Sequence, residues 1–235
     1  MGTDTGWLAD NWREVRRRVD EACRDAGRDP AEVSILPVSK TFGPEMIRAG
    51  VALGMCRFGE NKVQEIRDKA PPLADCGIEW VMIGHLQTNK AKDVARMVSE
   101  VQSLDRMELA EALDRRLQHE GRAIDVLVQV KTSPEPSKYG LPPEHLPGFL
   151  KALRGYDTLR VGGLMTLATH SGEPSEVHAC FRRLRELRAE AAAQGHDLPR
   201  LSMGMSGDFP LAIAEGANEV RIGTAIFGSR PRRDS

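Results

Sequence analysis

The stretch RLSMGMSGDFPLAIAEGANEVRIGTAIFG, residues 200–228, contains the same structural pattern twice. In each copy a short strand-like run, Arg200–Met205 or Glu219–Ile222, leads through a glycine-containing loop into an apolar stretch that suits a helix. Asp208 stands where it could cap the first helix, and Gly216 stands where that helix would end. Strands that alternate with helices in this way are typical of a parallel β-sheet.

The same alternation extends through the preceding part of the chain. Six more strands are predicted there, over Val33–Val38, Arg57–Phe58, Glu79–Ile83, Glu100–Ser103, Ile124–Val130 and Arg160–Met165. Six helices are predicted between these strands. The first three run from Pro44 to near Gly54, over Asn61–Lys69 and over Asn89–Val98. The fourth contains Leu109, Leu113 and Leu117 and stops at Gly121, the fifth ends near Leu153, and the sixth runs from about Ser175 to Ala193. Thr88 could cap one of these helices, and Asp105 with Glu108 resembles a capping box for the next.

One further amphipathic helix precedes the first strand. Its apolar residues recur at steps of three and four, at Leu8, Trp12, Val15, Val19, Ala22 and Ala26. Eight β/α units and one leading helix in 235 residues predict an α/β protein with a single (β/α)8 TIM barrel. The alternative is a doubly wound open sheet, which usually has fewer strands and a G-x-G-x-x-G motif that is missing here. We expect one domain over residues 1–235, with a short charged tail from about residue 229.

The amino-acid composition argues against several kinds of binding partner. The chain has 33 Lys+Arg against 34 Asp+Glu, so its net charge of -1 disfavours a general nucleic-acid binder. No apolar run approaches the roughly 18 residues of a membrane span, and the N-terminal residues do not resemble a signal peptide, so we expect a cytoplasmic protein. The four cysteines and six histidines match no metal-ligand spacing, and we predict no metal site.

Lys40 is the first candidate for chemistry, because barrels of this kind carry their reactive groups just after the strands. A lysine at the end of an apolar strand is poorly hydrated, and burial would lower the pKa of its amine. The neutral amine could then attack a carbonyl and form a Schiff base. The alternative is a lysine whose stem packs at the barrel mouth while its ammonium stays in water, and position alone favours that alternative.

The loops after the seventh and eighth strands suit a phosphate group. They supply glycines, the hydroxyl of Ser206 and the start of a final helix at Gly223 and Thr224, although ordinary turns use the same residues. In a closed barrel the last strand lies beside the first, so Lys40 and Arg221 should be neighbours at one rim. An amine, an arginine and a phosphate cradle would suit a phosphorylated aldehyde, of which pyridoxal 5′-phosphate (PLP) is the leading example.

Four segments of the chain resemble one known family. They are SKTFGPEMIRAGVALGMCRFGENKVQE at 39–65, WVMIGHLQTNKAK at 80–92, LMTLATH at 164–170 and LSMGMSGDFPLAIAEGANEVRIGTAIFGSR at 201–230. Their order and spacing are similar to those of the pyridoxal phosphate homeostasis proteins. The resemblance implies a barrel like the N-terminal domain of alanine racemase, PLP as cofactor, and a role in vitamin B6 homeostasis without an established catalytic reaction.

The resemblance also implies roles for individual residues. These are the Schiff-base lysine Lys40, the ring contact Asn61, the pocket-wall residue His85, the ring and phosphate contacts Met203 and Ser206, the phosphate contacts Gly223 and Thr224, and Arg221 facing the pyridine nitrogen. Because a guanidinium only donates hydrogen bonds, it would keep that nitrogen unprotonated. The ring would then be a weak electron sink, which disfavours carbanion chemistry but permits imine exchange.

Three functions remain open at this point. The first is a PLP carrier or regulator without catalytic residues, which holds PLP as an internal aldimine on Lys40 and transfers it to other proteins. Apo forms of PLP-dependent enzymes are candidates to receive it. The second is a PLP-dependent racemase-type enzyme with weak activity, although neither Tyr139 nor Tyr156 stands at a motif matching the tyrosine base of such enzymes. The third is a Schiff-base aldolase that works without PLP. We further expect a monomer. The loop Ser133–Gly140, which includes Lys138, could line the entrance of the site or be a plain surface turn, and we favour the turn.

Overall fold

The computed structural model describes residues 6–135 and 138–229. Its eight strands are β1 (Ser34–Pro37), β2 (Arg57–Glu60), β3 (Glu79–Met82), β4 (Glu100–Leu104), β5 (Ile124–Gln129), β6 (Leu159–Met165), β7 (Arg200–Ser202) and β8 (Glu219–Ile222). They form one sheet in the order β1-β8-β7-β6-β5-β4-β3-β2, and every paired neighbour is parallel.

The two ends of this sheet approach each other. Val38, just after β1, forms a parallel bridge with Gly59 of β2, and the Ser39 N–H donates to the Gly59 carbonyl at 3.1 Å. The sheet is therefore a nearly closed (β/α)8 barrel, as the sequence predicts, and the open doubly wound sheet is excluded. Pro37 pairs with Ile222, which brings the carboxyl ends of β1 and β8 together.

Nine α-helices surround the strands in the described part of the chain. They are α1 (Gly6–Asp25), α2 (Pro44–Ala52), α3 (Val63–Lys69), α4 (Ala91–Met97), α5 (Met107–Glu120), α6 (Leu146–Leu153), α7 (Pro174–Ala193), α8 (Phe209–Ala214) and α9 (Thr224–Phe227). The leading helix α1 packs against α8 and α9, and its Asn11 Nδ2 donates to the Ile226 carbonyl at 3.0 Å. The leading helix thus supports the loops that follow β7 and β8.

The core lies between the strands and the helices. The predicted stripe of α5 is buried completely, since Leu109, Leu113 and Leu117 have no exposed surface. Each such side chain stabilises the fold by about 1.5–3 kcal/mol relative to an exposed position. The helix ends where the sequence predicts, because Gly121 adopts φ +62°, a left-handed conformation that residues with a Cβ adopt at a cost.

Two details of the seventh unit differ from the prediction. The strand β7 ends at Ser202 rather than at Met205, because Gly204 takes φ +95° and turns the chain away from the sheet. Asp208 stands at the N-cap of α8, but its Oδ1 accepts from the Met205 N–H at 2.6 Å instead of from the helix. Its carboxylate therefore closes the loop 205–208.

The other two predicted caps are also wrong. Thr88 begins a 3-10 turn, Thr88–Lys90, and makes no capping bond. The Asp105 carboxylate binds its neighbour Arg106 at 2.6 Å, and Arg106 is the N-cap residue of α5. The arginine donates as well to the Leu86 carbonyl at 2.7 Å, so a charged partner outcompetes the helix N–H groups for the carboxylate.

A cluster of charged residues fills the amino end of the barrel. Four of its members are ionised, and each is the first residue of its strand: Arg57, Glu100, Arg200 and Glu219. The fifth member, Gln102, lies two residues further along β4, toward the carboxyl end of the barrel. We call these five residues the lower cluster. Each arginine contacts both carboxylates at 2.8–2.9 Å, and the Gln102 amide donates to both carboxylates. Charge is therefore balanced within the cluster.

None of the helices within residues 6–135 and 138–229 combines the length and the apolar composition that crossing a lipid bilayer requires.

Candidate functional site

A cavity of about 630 Å3 opens at the carboxyl end of the strands. Its volume falls in the range of roughly 300–1,000 Å3 that is typical of small-molecule sites. Seven of the eight residues singled out in the sequence line it: Lys40, Asn61, His85, Ser206, Arg221, Gly223 and Thr224. Because parallel strands point their carboxyl ends at the same rim, residues from five separate loops meet here.

Met203, the eighth of these residues, lies in the hydrophobic core with no exposed surface and does not line the cavity. Met205 lines it instead and is 41% exposed. The turn at Gly204 explains the exchange, because the chain leaves the strand before Met205 and the alternation of a β-strand no longer applies.

Lys40 is half-buried on a tight turn that follows β1. Thr41, the next residue, has φ +73°, which a β-branched residue adopts at a cost of about 1–3 kcal/mol. Its N–H donates to Glu65 Oε2 at 2.7 Å, and this bond to a charged acceptor helps to hold the turn. Lys40 therefore lies on the cavity wall directly before a strained residue of the turn.

Arg221 is a buried cation at the base of the cavity, with 3% of its surface exposed. It donates to Ser202 Oγ at 2.8 Å and to the Thr166 carbonyl at 2.7 Å, and no ion pair in residues 6–135 and 138–229 includes it. Burial lowers the pKa of Arg221 to about 10, and the negative charges of Glu219 and Asp208 oppose that shift. The guanidinium therefore stays charged at neutral pH and suits an electron-rich ligand atom.

A chain of hydrogen bonds connects Arg221 to the lower cluster. Because the Gln102 amide nitrogen faces Glu100 and Glu219, its Oε1 faces the other way and accepts from Ser202 Oγ at 2.7 Å. The Ser202 hydroxyl proton is thus directed toward Gln102, and its oxygen is left to accept from Arg221. Charges at the amino end of the barrel orient the cation at the carboxyl end.

The loops after β7 and β8 present backbone donors to the cavity. Across the described residues, the N–H groups of Ser206, Gly207, Gly223 and Thr224 have no protein acceptor. A Cβ on Gly223 would lie 3.0 Å from the Val38 carbonyl oxygen, so only glycine fits there without a shift. Unpaired N–H groups beside two hydroxyl side chains form a cradle with the chemistry of an anion site.

The loop before Leu141 covers one side of the mouth. Lys138 and Tyr139 line the cavity, so the interpretation of Ser133–Gly140 as a plain surface turn is wrong, with residues 136 and 137 outside the described part of the chain. The Tyr139 ring stacks on His85, with centroids 3.9 Å apart and planes inclined by 16°. Gln129 donates to the Tyr139 carbonyl at 3.0 Å and thereby fixes the loop to β5.

Several cavity residues were missed by sequence reasoning. Among them are Lys138 and Tyr139 on the loop that follows β5, and His170 beyond β6. Lys138 Nζ donates to the Ala168 carbonyl, which ties the two loops together. None of these residues directly follows a strand, which was the only positional signal available. In the described residues no group of three or more His, Cys, Asp or Glu side chains could hold a metal ion.

The fold and the rim residues define a barrel of the alanine racemase class. Residues 4–231 match the family model described as alanine racemase, N-terminal domain. The pyridoxal phosphate homeostasis protein of Pseudomonas aeruginosa is 42% identical over 223 residues, which cover 95% of this chain and 96% of that protein. That of Aquifex aeolicus is 42% identical over 217 residues, covering 92% of this chain and 95% of that protein.

Among solved structures, PipY of Synechococcus elongatus PCC7942 with PLP bound superposes with a TM-score of 0.83. It is 35% identical, and the match covers 94% of this chain and 100% of that chain. This chain belongs to the family of pyridoxal phosphate homeostasis proteins.

Proposed function

We propose that the protein binds PLP in the cavity at the carboxyl end of the barrel, holds it through Lys40, and stores and releases it. One observation carries the proposal: Lys40, Arg221 and two loops with unpaired N–H groups line the same cavity. A primary amine, a fixed cation and an anion cradle are the groups that an aldehyde, a pyridine nitrogen and a phosphate require. The names of the relatives and the PLP-bound structure of PipY support this choice of cofactor.

In this proposal Lys40 binds the aldehyde carbon of PLP. The Lys40 amine adds to the carbonyl, water leaves, and a C=N bond joins Nζ to the cofactor. An incoming amine can replace Nζ at the same carbon, which restores the Lys40 amine and carries PLP away as a new imine. No oxidant or second cofactor is needed for this exchange.

The remaining groups hold the other parts of the cofactor. The N–H groups of Ser206, Gly207, Gly223 and Thr224, with two hydroxyls, would bind the phosphate. Arg221 would donate to the pyridine nitrogen and keep it unprotonated. A ring in that state withdraws electrons weakly, so release and exchange of PLP are favoured over carbanion chemistry. We therefore propose a PLP homeostasis protein without catalytic turnover.

The experiment compares three lysine variants of the purified protein with the wild type. PLP should give wild-type protein a visible absorption band that borohydride bleaches, and peptide mapping should place the reduced adduct on Lys40. Lys40→Ala should lose the band. Lys138→Ala, which removes the other cavity lysine, and Lys62→Ala, which removes an exposed lysine, should keep it. A band that persists in Lys40→Ala would reject the assignment.

A racemase-type enzyme with weak activity is the second candidate, because a tyrosine, Tyr139, is among the residues that line the cavity. Exchange of the α-hydrogen of an amino acid with deuterated water is the measurement that separates the two. We expect no exchange above that of free PLP with the wild type. Fast exchange that disappears in Tyr139→Phe would favour the enzyme. The third candidate, an aldolase without PLP, would bind no PLP and would yield a substrate adduct on Lys40 after borohydride treatment.

We also expect that the protein is a cytoplasmic monomer and that it delivers PLP to apo forms of PLP-dependent enzymes. Light scattering tests the oligomeric state. Transfer is tested by mixing the loaded protein with an apo-enzyme in the presence of a phosphatase that destroys free PLP. Activation of the apo-enzyme under these conditions supports direct delivery, and activation that the phosphatase prevents contradicts it.

A further inference from the structure

Lys69 is a lysine that the proposed function does not use. It stands in the last turn of α3 and is 6% exposed, which is rare for an ammonium group. Its Nζ contacts three oxygens: the Ser39 carbonyl at 3.0 Å, Glu60 Oε1 at 2.7 Å and Glu65 Oε2 at 2.8 Å. All three of its N–H groups are therefore used.

The partners of Lys69 converge on the two residues that flank Lys40. On one side, the Ser39 carbonyl binds Lys69 directly, and Ser39 Oγ donates to Glu60 Oε1 at 2.6 Å. On the other side, the Thr41 N–H donates to the same Glu65 oxygen that Lys69 contacts. The turn around Lys40 is thus fastened before and after the lysine.

The arrangement places two carboxyl groups around one ammonium group. Glu60 has no exposed surface, and its Oε2 has no hydrogen-bond partner among the described residues. Burial raises the pKa of Glu60 to about 7 against the effect of Lys69. Burial also acts to raise the pKa of Glu65, but the hydrogen bonds from Lys69 and Thr41 outweigh it and lower that pKa. Lys69 is the side chain that holds both carboxyls at one point.

From this geometry, and on the basis of the proposed function, we infer that Lys69 is a positioning residue: it fastens the turn 39–41 so that the Lys40 amine is directed into the cavity. Thr41, at φ +73°, would otherwise relax toward a common backbone conformation and take Lys40 with it. Lys69 itself does not touch the cofactor in this proposal. Its effect reaches the reacting amine through the backbone of two adjacent residues.

The test uses a variant that removes the Lys69 contacts and also removes the charge of Glu60, which has no exposed surface. The double variant Lys69→Met/Glu60→Gln keeps the side-chain volumes and abolishes the ion pair. We expect PLP to react with Lys40 about tenfold more slowly, because small displacements of a reacting group cost large factors in rate. The matched control, Lys62→Met, removes an exposed lysine near the start of α3 and should leave this rate unchanged.

A second readout does not depend on PLP. Reductive methylation of the protein without cofactor, mapped by mass spectrometry, gives the labelling of Lys40 relative to that of exposed Lys92. This ratio should rise in the double variant, because the amine leaves the cavity wall. Lys69→Arg, which restores donors, should bring both readouts back toward the wild type.

The two readouts keep this inference separate from the proposed function. Failure of wild-type protein to bind PLP would reject the function, while the methylation ratio would still report the position of Lys40. An unchanged or lower ratio in the double variant, or an imine rate within about twofold of wild type, overturns the role of Lys69. If the double variant does not fold, Glu65→Gln gives the same comparison, because it weakens the acceptor of the Thr41 N–H.

Discussion

The two ends of the barrel use buried charge in opposite ways. At the amino end, Arg57 and Arg200 pair with Glu100 and Glu219 at 2.8–2.9 Å. At the carboxyl end, the buried cation Arg221 binds only a hydroxyl and a carbonyl among the described residues and faces a cavity. The first arrangement is complete within the protein. In the proposed function, the second arrangement is completed by a ligand that supplies electron-rich atoms.

The difference bears on what each charge contributes to stability. Removing one member of a buried, paired set leaves its partners desolvated without compensation. Removing a buried cation that has no carboxylate partner takes away a desolvation penalty instead. Mutations of like residues at the two ends should therefore change the free energy of unfolding in different directions, and four predictions test this contrast.

The largest effect is expected in the lower cluster. Glu219→Gln should lower the free energy of unfolding by about 3–5 kcal/mol, because it leaves Arg57 and Arg200 with one buried carboxylate between them. Urea denaturation measures the change. The control is Glu79→Gln, whose exposed carboxylate contacts Arg57 at 3.6 Å and should contribute less than about 1 kcal/mol. Equal effects of the two substitutions would contradict the contrast.

The second prediction concerns the pH dependence of the free energy of unfolding, for which the buried carboxyls of Glu60 and Glu219 differ. Burial raises the pKa of Glu60 to about 7. Burial also acts to raise the pKa of Glu219, but Arg200 and Arg57 outweigh it and hold that pKa below its ordinary value. Since folded Glu60 binds its proton more tightly than the unfolded chain does, its contribution to stability is present at low pH. That contribution is lost as the pH rises through about 7.

Unfolding experiments between about pH 5 and about pH 8 measure this dependence. Relative to Glu60→Gln, which cannot titrate, the wild type should lose about 2–3 kcal/mol over that interval, since one pKa unit corresponds to about 1.4 kcal/mol. Glu79→Gln again serves as the exposed control. Parallel stability curves for wild type and Glu60→Gln would show that Glu60 does not titrate in this interval.

The sequence predicts one end of the barrel better than the other. Lys40, Asn61 and Arg221 could be found because each lies at or just after the end of a strand, and chain direction alone brings such positions to one rim. The lower cluster could not be found in this way. Its ion pairs join residues that are 19 to 162 positions apart in the chain, and the folded sheet brings them together at the amino end of the barrel.

Some of the predictions about individual site residues were wrong because of local features of the chain. The family resemblance implies a cofactor contact at Met203, but the chain turns at Gly204, so Met203 lies in the core and Met205 lines the cavity. Tyr139 was passed over because its loop returns across the mouth only through contacts such as Gln129 with the Tyr139 carbonyl. Side-chain contacts of this kind have no periodic signature in a sequence.

The third prediction tests the unpaired cation directly. Arg221→Gln should weaken PLP binding roughly tenfold to fiftyfold, the loss expected when a charge-assisted hydrogen bond is removed. The free energy of unfolding should not fall, because no ion pair is broken in the described part of the chain. Arg200→Gln is the matched control at the other end and should do the reverse, lowering stability with little effect on affinity for PLP. Similar stability losses in both variants would remove the distinction between the two ends.

The smallest effect is expected at the mouth, where aromatic stacking takes the place of charge. The Tyr139 ring lies 3.9 Å from the His85 ring and is 58% exposed, so the stack covers the cavity without being part of the core. Aromatic pairs contribute about 0.5–1.5 kcal/mol, and Tyr139→Leu should therefore speed the release of PLP by a few-fold to about tenfold. Stopped-flow trapping of released PLP measures the rate. Tyr139→Phe keeps the ring and removes only the hydroxyl, so it should release PLP at the wild-type rate. If Tyr139→Phe instead behaves like Tyr139→Leu, the hydroxyl rather than the stack controls release, and the mouth would be a polar site like the base of the cavity.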